Sequence, residues 1–268
     1  MSLRIQNNVE ALNAHRNLLG VSAQVSKSME RLSSGYRINR AADDAAGLAI
    51  SEKMRAQIRG LAQDQRNIGD GVSLVQTAEG ALSTVHNMLQ RVRELAVQYK
   101  NGTLSAANQS AIQSEVNQLA SEIERLGTTT AFNGICLLNN TNTVTFQVGA
   151  NDGEVISVAM ISLGSTSVLP SGWSNLGDAA AISNIDSAID NVSAQRATLG
   201  AVQNRLDYSQ DNVSIYQENL VSAESRIRDV DMAAETVQLT KNQILSQAGT
   251  AMLSQANQAG QGVLSLLR

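Results

Sequence analysis

The stretch that decides the fold is LAQDQRNIGDGVSLVQTAEGALSTVHNMLQRVRELAVQY, residues 61–99, in which apolar side chains recur every seven positions. Such a heptad repeat predicts a long α-helix whose seam packs against other helices. A second heptad repeat follows later in the chain. We predict that the core of a helical rod is formed by Leu61, Ile68, Val75, Leu82, Leu89, Ile185, Val192, Leu199, Leu206, Val213, Leu220 and Ile227.

Capping and breaking signals set the ends of the first rod helix. Asp43 or Asp44 can cap its start, and the helical pattern continues to about Lys100. At 1.5 Å per residue the helix would be on the order of 80 Å long. Asn101-Gly102 ends it, and a return helix then runs to about Gly127.

Beyond the return helix the period of the apolar residues changes from helical to alternating. Val144, Phe146 and Val148 alternate with polar residues and are followed by the turn sequence GANDG, which predicts a β-hairpin over about 143–158. The segment 162–178 is rich in Ser and Gly and has no usable period. We predict that it is a short loop at the tip of the rod.

Both chain ends carry further helical stripes. The rest of the C-terminal surface is mostly Gln, Asn, Ser and Thr, so little charge repulsion would keep copies of this helix apart. We expect the two ends to pair with each other and to become ordered when many copies assemble. The stripe residues that we predict to act in assembly are Ile5, Val9, Leu12, Leu19, Leu245, Ala248, Met252, Ala256, Ala259, Val263 and Leu266.

The predicted fold is therefore mainly α: an elongated bundle of long heptad-patterned helices with a small β-hairpin, plus paired terminal helices. Four regions follow from this pattern. We place them at 1–43 for the N-terminal helix and connector, 44–178 for the first part of the rod with hairpin and tip, 179–230 for the last rod helix, and 231–268 for the C-terminal helix.

Composition narrows the function classes. The net charge is −4, which argues against nucleic acid as the main partner because the negatively charged phosphate backbone binds basic surfaces. No segment has the length of a membrane span, and the N-terminus lacks the apolar core of a signal peptide. These features predict a cytosolic protein, or one exported by a route that needs no cleaved signal.

Catalytic and metal-binding signals are weak. The two histidines, His15 and His86, are far apart, and no HExxH or paired CxxC motif is present. The single cysteine, Cys136, allows no disulfide within the chain. The adjacent pair Asp43 and Asp44 is interpreted as a helix start rather than as paired catalytic carboxylates. We therefore predict no enzyme activity, no cofactor and no metal.

Nine motifs resemble those of bacterial flagellins, in the same order. They are NNVEALNAHRNL, ERLSSGYRINRAADDAAGLAISEKMR, LQRVRELAVQ, FNGICLL, FQVGANDGE, LGAVQNRL, SRIRDVDMAAE, ILSQAGTAMLSQANQ and VLSLLR. The likeness covers nearly the entire chain except Asn142 and the segment 162–178. Where many flagellins insert outer domains, this chain has only a short loop, so it resembles a minimal flagellin.

The resemblance implies a structural subunit of the flagellar filament, with the paired terminal helices as inner tubes and the rod as the surrounding shell. It also implies unfolded export through the flagellar type III apparatus to the extracellular filament. The partners implied are further copies of the chain, an export chaperone of the flagellin type, and the filament cap and hook-junction proteins.

The resemblance also implies recognition by innate immune receptors. Arg91, Leu95 and Glu115 match positions contacted by the flagellin-sensing Toll-like receptor. Leu264, Leu266 and Leu267 match the C-terminal leucines that the cytosolic inflammasome sensor contacts. Independently of any receptor, Leu95 and Glu115 are expected to be ordinary helix-surface residues in a subunit-packing face.

Two alternatives remain at this point. A hook–filament junction protein shares terminal helices of this kind, although it would be expected to depart from RAADDAAGLAISE and ILSQAGT. A self-contained coiled-coil scaffold, or an enzyme with its site in the tip, belongs to a different class. A scaffold would form a fixed small oligomer, whereas a filament subunit would elongate on seeds.

Overall fold

The computed structural model describes residues 8–164 and 168–266, and for 259–266 it describes the helical backbone alone. Within these residues the chain forms five helices and four short strands. The elements are α1 Val9–Ser34, α2 Ala45–Tyr99, α3 Ala106–Thr129, β1 Ala131–Phe132, β2 Ile135–Cys136, β3 Thr143–Gln147, β4 Val155–Ala159, α4 Ala181–Arg228 and α5 Met232–Leu266.

The chain divides into two compact units, and α2 and α4 contribute to both. The central unit is Gln57–Glu218, and the terminal unit combines the residues up to Ala56 with those from Asn219 onward. In the central unit α2 and α4 run antiparallel, since Glu79 bonds Arg196 and Arg93 bonds Asp186. Their heptad seams supply most of the core of this unit.

The return helix α3 and the loop before α4 close one end of the central unit. Ile112 and Val116 pack against Val92 and Leu95 of α2 and Ile185 of α4. The loop residue Leu176 is buried in the same cluster, and Trp173 packs against it. The segment predicted as a tip is therefore anchored on the helices by its apolar side chains.

Polar contacts fix that loop as well. The Gln113 side chain donates from Nε2 to the Ser174 carbonyl at 2.8 Å and accepts from the Leu176 backbone N–H at 3.0 Å. Lys100 Nζ donates to the Ala179 carbonyl at 2.8 Å. One amide that both donates and accepts in this way holds the loop backbone without any regular secondary structure.

Two antiparallel hairpins follow α3, and the second of them contacts α2. The strands β3 and β4 pair in the register Val144 with Val158 and Phe146 with Ile156, close to the predicted 143–158. Gly71 of α2 admits the Phe146 ring, since a Cβ at that glycine would lie 3.3 Å from it. The short β1–β2 hairpin was not predicted from the sequence, although its turn is the Asn133-Gly134 pair with positive φ at both residues.

In the terminal unit α1 and α5 pack antiparallel, and each has a defined end. Gly35 ends α1 in the left-handed conformation with φ 76°, and its N–H bonds the Arg31 carbonyl. The Asp231 carboxylate caps α5 by accepting from the Ala233 and Ala234 amides.

The connector 36–44 is held by its own acidic residues. Asp43 accepts from the backbone N–H groups of Asn39 and Arg40 and pairs with Lys27 at 2.7 Å. The Asp44 carboxylate accepts from the Gly47 amide at 2.8 Å, as expected for a cap of α2. Both carboxylates therefore act in the turn and the cap.

The structure confirms the predicted fold class of long helices with a small hairpin and paired terminal helices. The boundaries differ slightly, because α3 continues two residues past Gly127 to Thr129. The hydroxyls of Thr128 and Thr129 bond the Arg125 carbonyl, which satisfies the end of that helix locally.

Candidate assembly interface on the terminal helices

The seam between α1 and α5 follows a three–four spacing but contains many small and polar residues. Ser28 and Asn242 are buried in it, and the Asn242 side-chain nitrogen has no hydrogen-bond partner. The other positions that are at least half-buried at this spacing are Ala11, Ala14, Leu18, Val21, Val25 and Leu32 on α1, and Glu235, Leu239, Ser246, Gly249, Leu253 and Ala256 on α5.

Three contacts fix the antiparallel alignment of these helices. Asn8 Nδ2 donates to the Ala256 carbonyl at 2.9 Å at one end, and Arg31 pairs with Glu235 at 3.4 Å at the other. Between them Gly249 lies close to Leu18, since a Cβ at that glycine would lie 3.3 Å from Leu18 Cδ1. The helices thus approach closely where the seam is small.

The apolar side chains predicted to act in assembly lie away from this seam. Leu12 and Met252 are 60% and 64% exposed. We call Val9, Leu12 and Leu19 the α1 stripe. The α5 stripe consists of Val237, Ile244, Leu245, Ala248 and Met252. Steps of three, four and seven residues keep each stripe on one side of its helix.

Not every predicted stripe residue lies in these stripes. Ala256 is half-buried against α1, so it belongs to the seam. Ile5 lies outside the described residues, as do the side chains of Ala259, Val263 and Leu266. Val237 and Ile244 were missed by the sequence prediction, although their seven-residue spacing was an available signal.

The exposed stripes are what a self-assembling surface requires. Isolated exposed apolar residues are normal on proteins, but contiguous rows on two paired helices indicate an interaction surface. Few charges interrupt the α5 stripe, where Lys241 is the only charged residue between Val237 and Met252.

A second polar cluster ties the connector to the end of α4 within the terminal unit. Arg37 N donates to the Arg228 carbonyl at 2.7 Å, and Val230 N donates to the Gly35 carbonyl at 3.0 Å. The Arg228 guanidinium lies 4.8 Å from the centre of the Tyr36 ring. The connector before α2 and the connector before α5 are therefore hydrogen-bonded to each other.

The same guanidinium is also bonded to α2. Arg228 Nη1 donates to Glu52 at 2.7 Å, and this hydrogen bond is the main reason that the pKa of Glu52 lies below its usual value. Nothing in the spacing of Tyr36, Glu52 and Arg228 would have identified this cluster from sequence.

The predicted rod-core positions are buried along most of both helices. Ten of them, from Leu61 to Leu89 and from Ile185 to Val213, have almost no exposed surface. The last two, Leu220 and Ile227, belong to the terminal unit and are only half-buried.

The positions that match immune-receptor contacts have different environments. Arg91 pairs with Glu115 at 3.0 Å and with Glu94 at 3.2 Å on the surface, and the Glu115 bond chiefly raises the pKa of Arg91. Leu95 was expected at the surface, and this is wrong: it is 2% exposed. Its side chain fills the core cluster with Ile112 and Val116. Leu267 and the side chains of Leu264 and Leu266 lie outside the described residues.

One core residue breaks the apolar seam of α2. Asp64 stands between Leu61 and Ile68 at a seam position and is 4% exposed, and one of its carboxylate oxygens has no hydrogen-bond partner. Burial, and then the carboxylate of Glu154, raise the pKa of Asp64. The sequence analysis did not single out this residue, although its place in the heptad was a signal.

The described residues give no support for metal chemistry. No group of three or more His, Cys, Asp or Glu side chains within 8–164 and 168–266 could hold a metal ion. In the same ranges no helix is both long enough and apolar enough to cross a membrane.

Family models match both halves of the chain. The model described as the bacterial flagellin N-terminal helical region matches residues 5–143, and the one described as the bacterial flagellin C-terminal helical region matches residues 182–267.

Several known proteins are similar over nearly their whole length. A flagellin of Halalkalibacterium halodurans is 54% identical over 271 residues, which cover 98% of this chain and 99% of that protein. The flagellin of Bacillus subtilis is 48% identical and is covered over 100% of its length, by 99% of this chain. A flagellar filament 33 kDa core protein of Treponema phagedenis is also 48% identical, with 98% of this chain and 99% of that protein covered.

Among solved structures, the crystal structure of Bacillus cereus flagellin is similar with a TM-score of 0.50 and 33% identity. The match covers 55% of this chain and 88% of that chain. The sequence similarity, in contrast, extends through the terminal helices on which the exposed stripes lie.

Proposed function

This chain belongs to the bacterial flagellin family and is a structural subunit of the flagellar filament, and on that premise we propose that the α1 and α5 stripes are its main assembly contacts. The observation that carries this proposal is the exposure of both stripes on a helix pair whose own seam already contains other residues of the same helices. Neighbouring copies would cover the stripes and complete the burial that one chain leaves unfinished.

The energetics favour such an arrangement. Fully burying a Val, Leu, Ile or Met side chain contributes roughly 1.5–3 kcal/mol. Leu12, Leu19, Leu245 and Met252 are each about half-exposed or more, so a neighbour on each stripe would gain several such contributions. The seam contributes less, because Ser28 and Asn242 must be desolvated there.

Function as a homopolymer follows from the family, and no observation favours a hook-junction protein, a fixed scaffold or an enzyme. The filament of this family is an extracellular appendage. Export of the chain through the flagellar type III apparatus is part of the proposal. The filament cap and the hook-junction proteins would then contact the same terminal helices at the two ends of the polymer.

An export chaperone would be expected to cover the α5 stripe before assembly. Val237, Ile244 and Leu245 line an open groove together with Thr236 and Thr240. A chaperone that occupies this groove would prevent early polymerisation, because the same side chains would then be unavailable to other copies. Premixing the chain with its chaperone should delay elongation in proportion to the chaperone added.

Recognition by innate immune receptors is a further part of the proposal, with one change. Arg91 and Glu115 are exposed and could contact a receptor, whereas Leu95 would act only by supporting the surface from the core. In a receptor reporter assay Arg91→Ala should lower the response, and Arg125→Ala, which removes another exposed surface arginine, should not. Leu264, Leu266 and Leu267 would be tested by truncation in a cytosolic-sensor assay.

Deletion of residues 243–268 tests the assembly proposal. It removes most of α5, including Leu245 and Met252, but leaves the central unit intact, so that unit should melt as it does in the parent while the variant fails to elongate on filament seeds. A matched control is Gln247→Ala, which changes an exposed polar residue of α5. Electron micrographs that show filament growth by the deletion variant would contradict the proposal.

A further inference from the structure

The central unit carries a second unpartnered surface on the outer side of α4. Asp207, Asp211 and Glu218 follow one another at helical spacing and form no ion pair with any described residue. Tyr208 and Ile215 lie between them and are 76% and 61% exposed. We call these five residues the acidic stripe. An exposed aromatic and an exposed Ile within a row of carboxylates are unusual for a face that serves only solubility.

The opposite charge lies on the outer side of α2. Arg59 and Arg66 are seven residues apart and therefore on one face, and both are exposed. Arg66 donates to the Gln63 side chain, and neither arginine pairs with a carboxylate among the described residues. We call Arg59 and Arg66 the basic pair.

Most other arginines of the central unit are paired. Arg91, Arg93, Arg125 and Arg196 each pair with a carboxylate of the same unit. Arg205 forms no ion pair with a described residue either, and it borders the acidic stripe because it lies three residues before Tyr208. The acidic stripe therefore carries three unpaired carboxylates, and the face of the basic pair carries two unpaired guanidinium groups together with the carboxylate of Asp70, four residues after Arg66.

The two faces lie at the same level of the bundle. Gln65 of α2 donates to the Ser214 hydroxyl of α4 at 3.1 Å, so Arg66 and Ile215 are each one residue from this contact. A Cβ at Gly71 would lie 3.4 Å from Leu206 Cδ1, and Leu206 is next to Asp207. A copy placed beside another at the same height would therefore bring the acidic stripe near the basic pair of its neighbour.

We propose that the acidic stripe of one copy packs on the basic pair of the next copy, as a lateral contact within the polymer. This inference rests on the proposed function and names a contact of that polymer beyond the terminal helices. Tyr208 and Ile215 would supply the apolar anchor, and an arginine can lie over the Tyr208 ring. The charges would set the register of the two copies, because exposed ion pairs contribute little affinity by themselves.

The two copies use different faces in this contact: one copy contributes its acidic stripe and the other its basic pair. Such a heterologous contact does not close on itself as a two-fold dimer does, and repeated around an axis it generates rings or helical polymers. The geometry therefore agrees with a filament and not with a closed dimer.

Charge reversal with rescue tests the contact. The acidic-stripe variant is Asp207→Lys with Asp211→Lys, the basic-pair variant is Arg59→Glu with Arg66→Glu, and a third chain combines all four changes. Each two-site variant should elongate on its own seeds at least about tenfold more slowly than the parent, which corresponds to about 1.4 kcal/mol. The combined chain should recover to within a few-fold of the parent, since both faces are then exchanged.

Net charge is controlled in the same experiment. The acidic-stripe variant and the control Glu124→Lys with Asp152→Lys change the net charge equally, and the control residues are exposed and form no ion pair among the described residues. The control should elongate like the parent. Circular dichroism melts must show that every variant monomer folds like the parent, because otherwise slow growth would reflect unfolding.

The outcomes separate the two proposals. If the parent and the control fail to elongate, the proposed function fails. If the parent and the control elongate but the combined chain is folded and remains slow, the lateral contact is overturned while the proposed function stands. Parent-like growth of the acidic-stripe variant overturns the contact as well. A second variant, Tyr208→Ser with Ile215→Ser, should also slow elongation without changing the melt.

Discussion

Two antiparallel helix pairs in this molecule use the same three–four spacing with opposite results. Between α2 and α4 the seam is almost wholly aliphatic, and Leu82, Leu89 and Leu206 have no exposed surface. Between α1 and α5 the seam mixes aliphatic residues such as Leu18 and Leu253 with Ser28, Asn242 and Gly249, while Leu12, Leu19, Leu245 and Met252 lie outside it. The first pair buries nearly all of its apolar surface within one chain, and the second leaves a substantial part of it for other copies.

The comparison teaches that the placement of the large aliphatic residues, and not their number, separates a folding unit from an assembly unit. A seam that mixes small and polar residues with aliphatic ones gives less hydrophobic free energy than a wholly aliphatic seam. The terminal pair should therefore be the less stable region of the isolated chain and gain stability when neighbours cover its stripes.

A charge placed in the core of the central unit should have a far greater effect on stability than the same charge placed on a stripe. Leu82→Asp or Leu206→Asp places an unpaired charge in the central core, so the free energy of unfolding should fall by roughly 3–5 kcal/mol, enough to unfold the bundle. Leu12→Asp or Met252→Asp places the same charge on an exposed stripe, so the melt should stay like that of the parent while elongation stops.

Thermal melts measured by circular dichroism test the stability of the variants, and seeded elongation monitored by light scattering tests their assembly. Parent-like melts for Leu82→Asp and Leu206→Asp would mean that the heptad seam has been misinterpreted. Normal elongation by Leu12→Asp and Met252→Asp would mean that the stripes do not act in assembly.

A smaller effect comes from the one acidic residue in the apolar seam. The folded state holds the proton of Asp64 more tightly than the unfolded chain does, because its pKa is raised above 3.8. The free energy of unfolding should therefore decrease as the pH rises from 3.8 through the folded pKa. Asp64→Leu should stabilise the bundle at neutral pH by about 1–3 kcal/mol, which is the cost of an unsatisfied buried polar group.

Urea unfolding at pH 7 and pH 4 measures this effect. The advantage of Asp64→Leu should be larger at pH 7 than at pH 4. Asp70→Leu, at an exposed position of the same helix, is the control and should show no gain at either pH. An equal advantage at both pH values would show that the charge of Asp64 is not the cause.

The polar seam of the terminal pair offers the converse change. Asn242 is 1% exposed with an unpartnered amide nitrogen, so Asn242→Leu should strengthen the pairing of α1 and α5 by about 1 kcal/mol. Amide hydrogen exchange in α1 of the monomer should slow down. Gln243→Leu, at the exposed neighbouring position, is the control; equal slowing by both variants would deny the seam a specific role.

The smallest expected effect concerns the connector. The Lys27 bond chiefly lowers the pKa of Asp43 to about 2 from its usual 3.8. The stability contributed by this pair is present above pH 3.8 and is lost as the pH falls toward 2. Asp43→Asn should therefore destabilise the terminal unit at pH 5 and much less at pH 2.5. Urea titrations that show the same loss at both pH values would contradict this account.

The sequence predicted the central unit well because its signals are local and repeated. The heptads of α2 and α4, the Asp44 cap and the alternation around Phe146 each identify an element without information from the rest of the chain. The β1–β2 hairpin was missed because two-residue strands leave almost no pattern.

The terminal unit was less predictable for a physical reason. Both faces of α1 carry apolar residues, so spacing alone could not say whether Leu12 or Leu18 faces α5. The seam of α5 contains Asn242 and Gly249, which no hydrophobic pattern selects. Leu95 was misplaced because α3 covers that side of α2, and this depends on a contact distant in the sequence.

The central claim is tested most directly by the accessibility of the stripes before and after assembly. Leu12→Cys and Met252→Cys, each with Cys136→Ser, would be labelled with a maleimide as monomers, as filaments and after depolymerisation. We predict rapid labelling of monomers, strong protection in filaments, and rapid labelling again once the filaments are dissolved. Equally rapid labelling of monomers and filaments would contradict the claim that neighbouring copies cover these stripes.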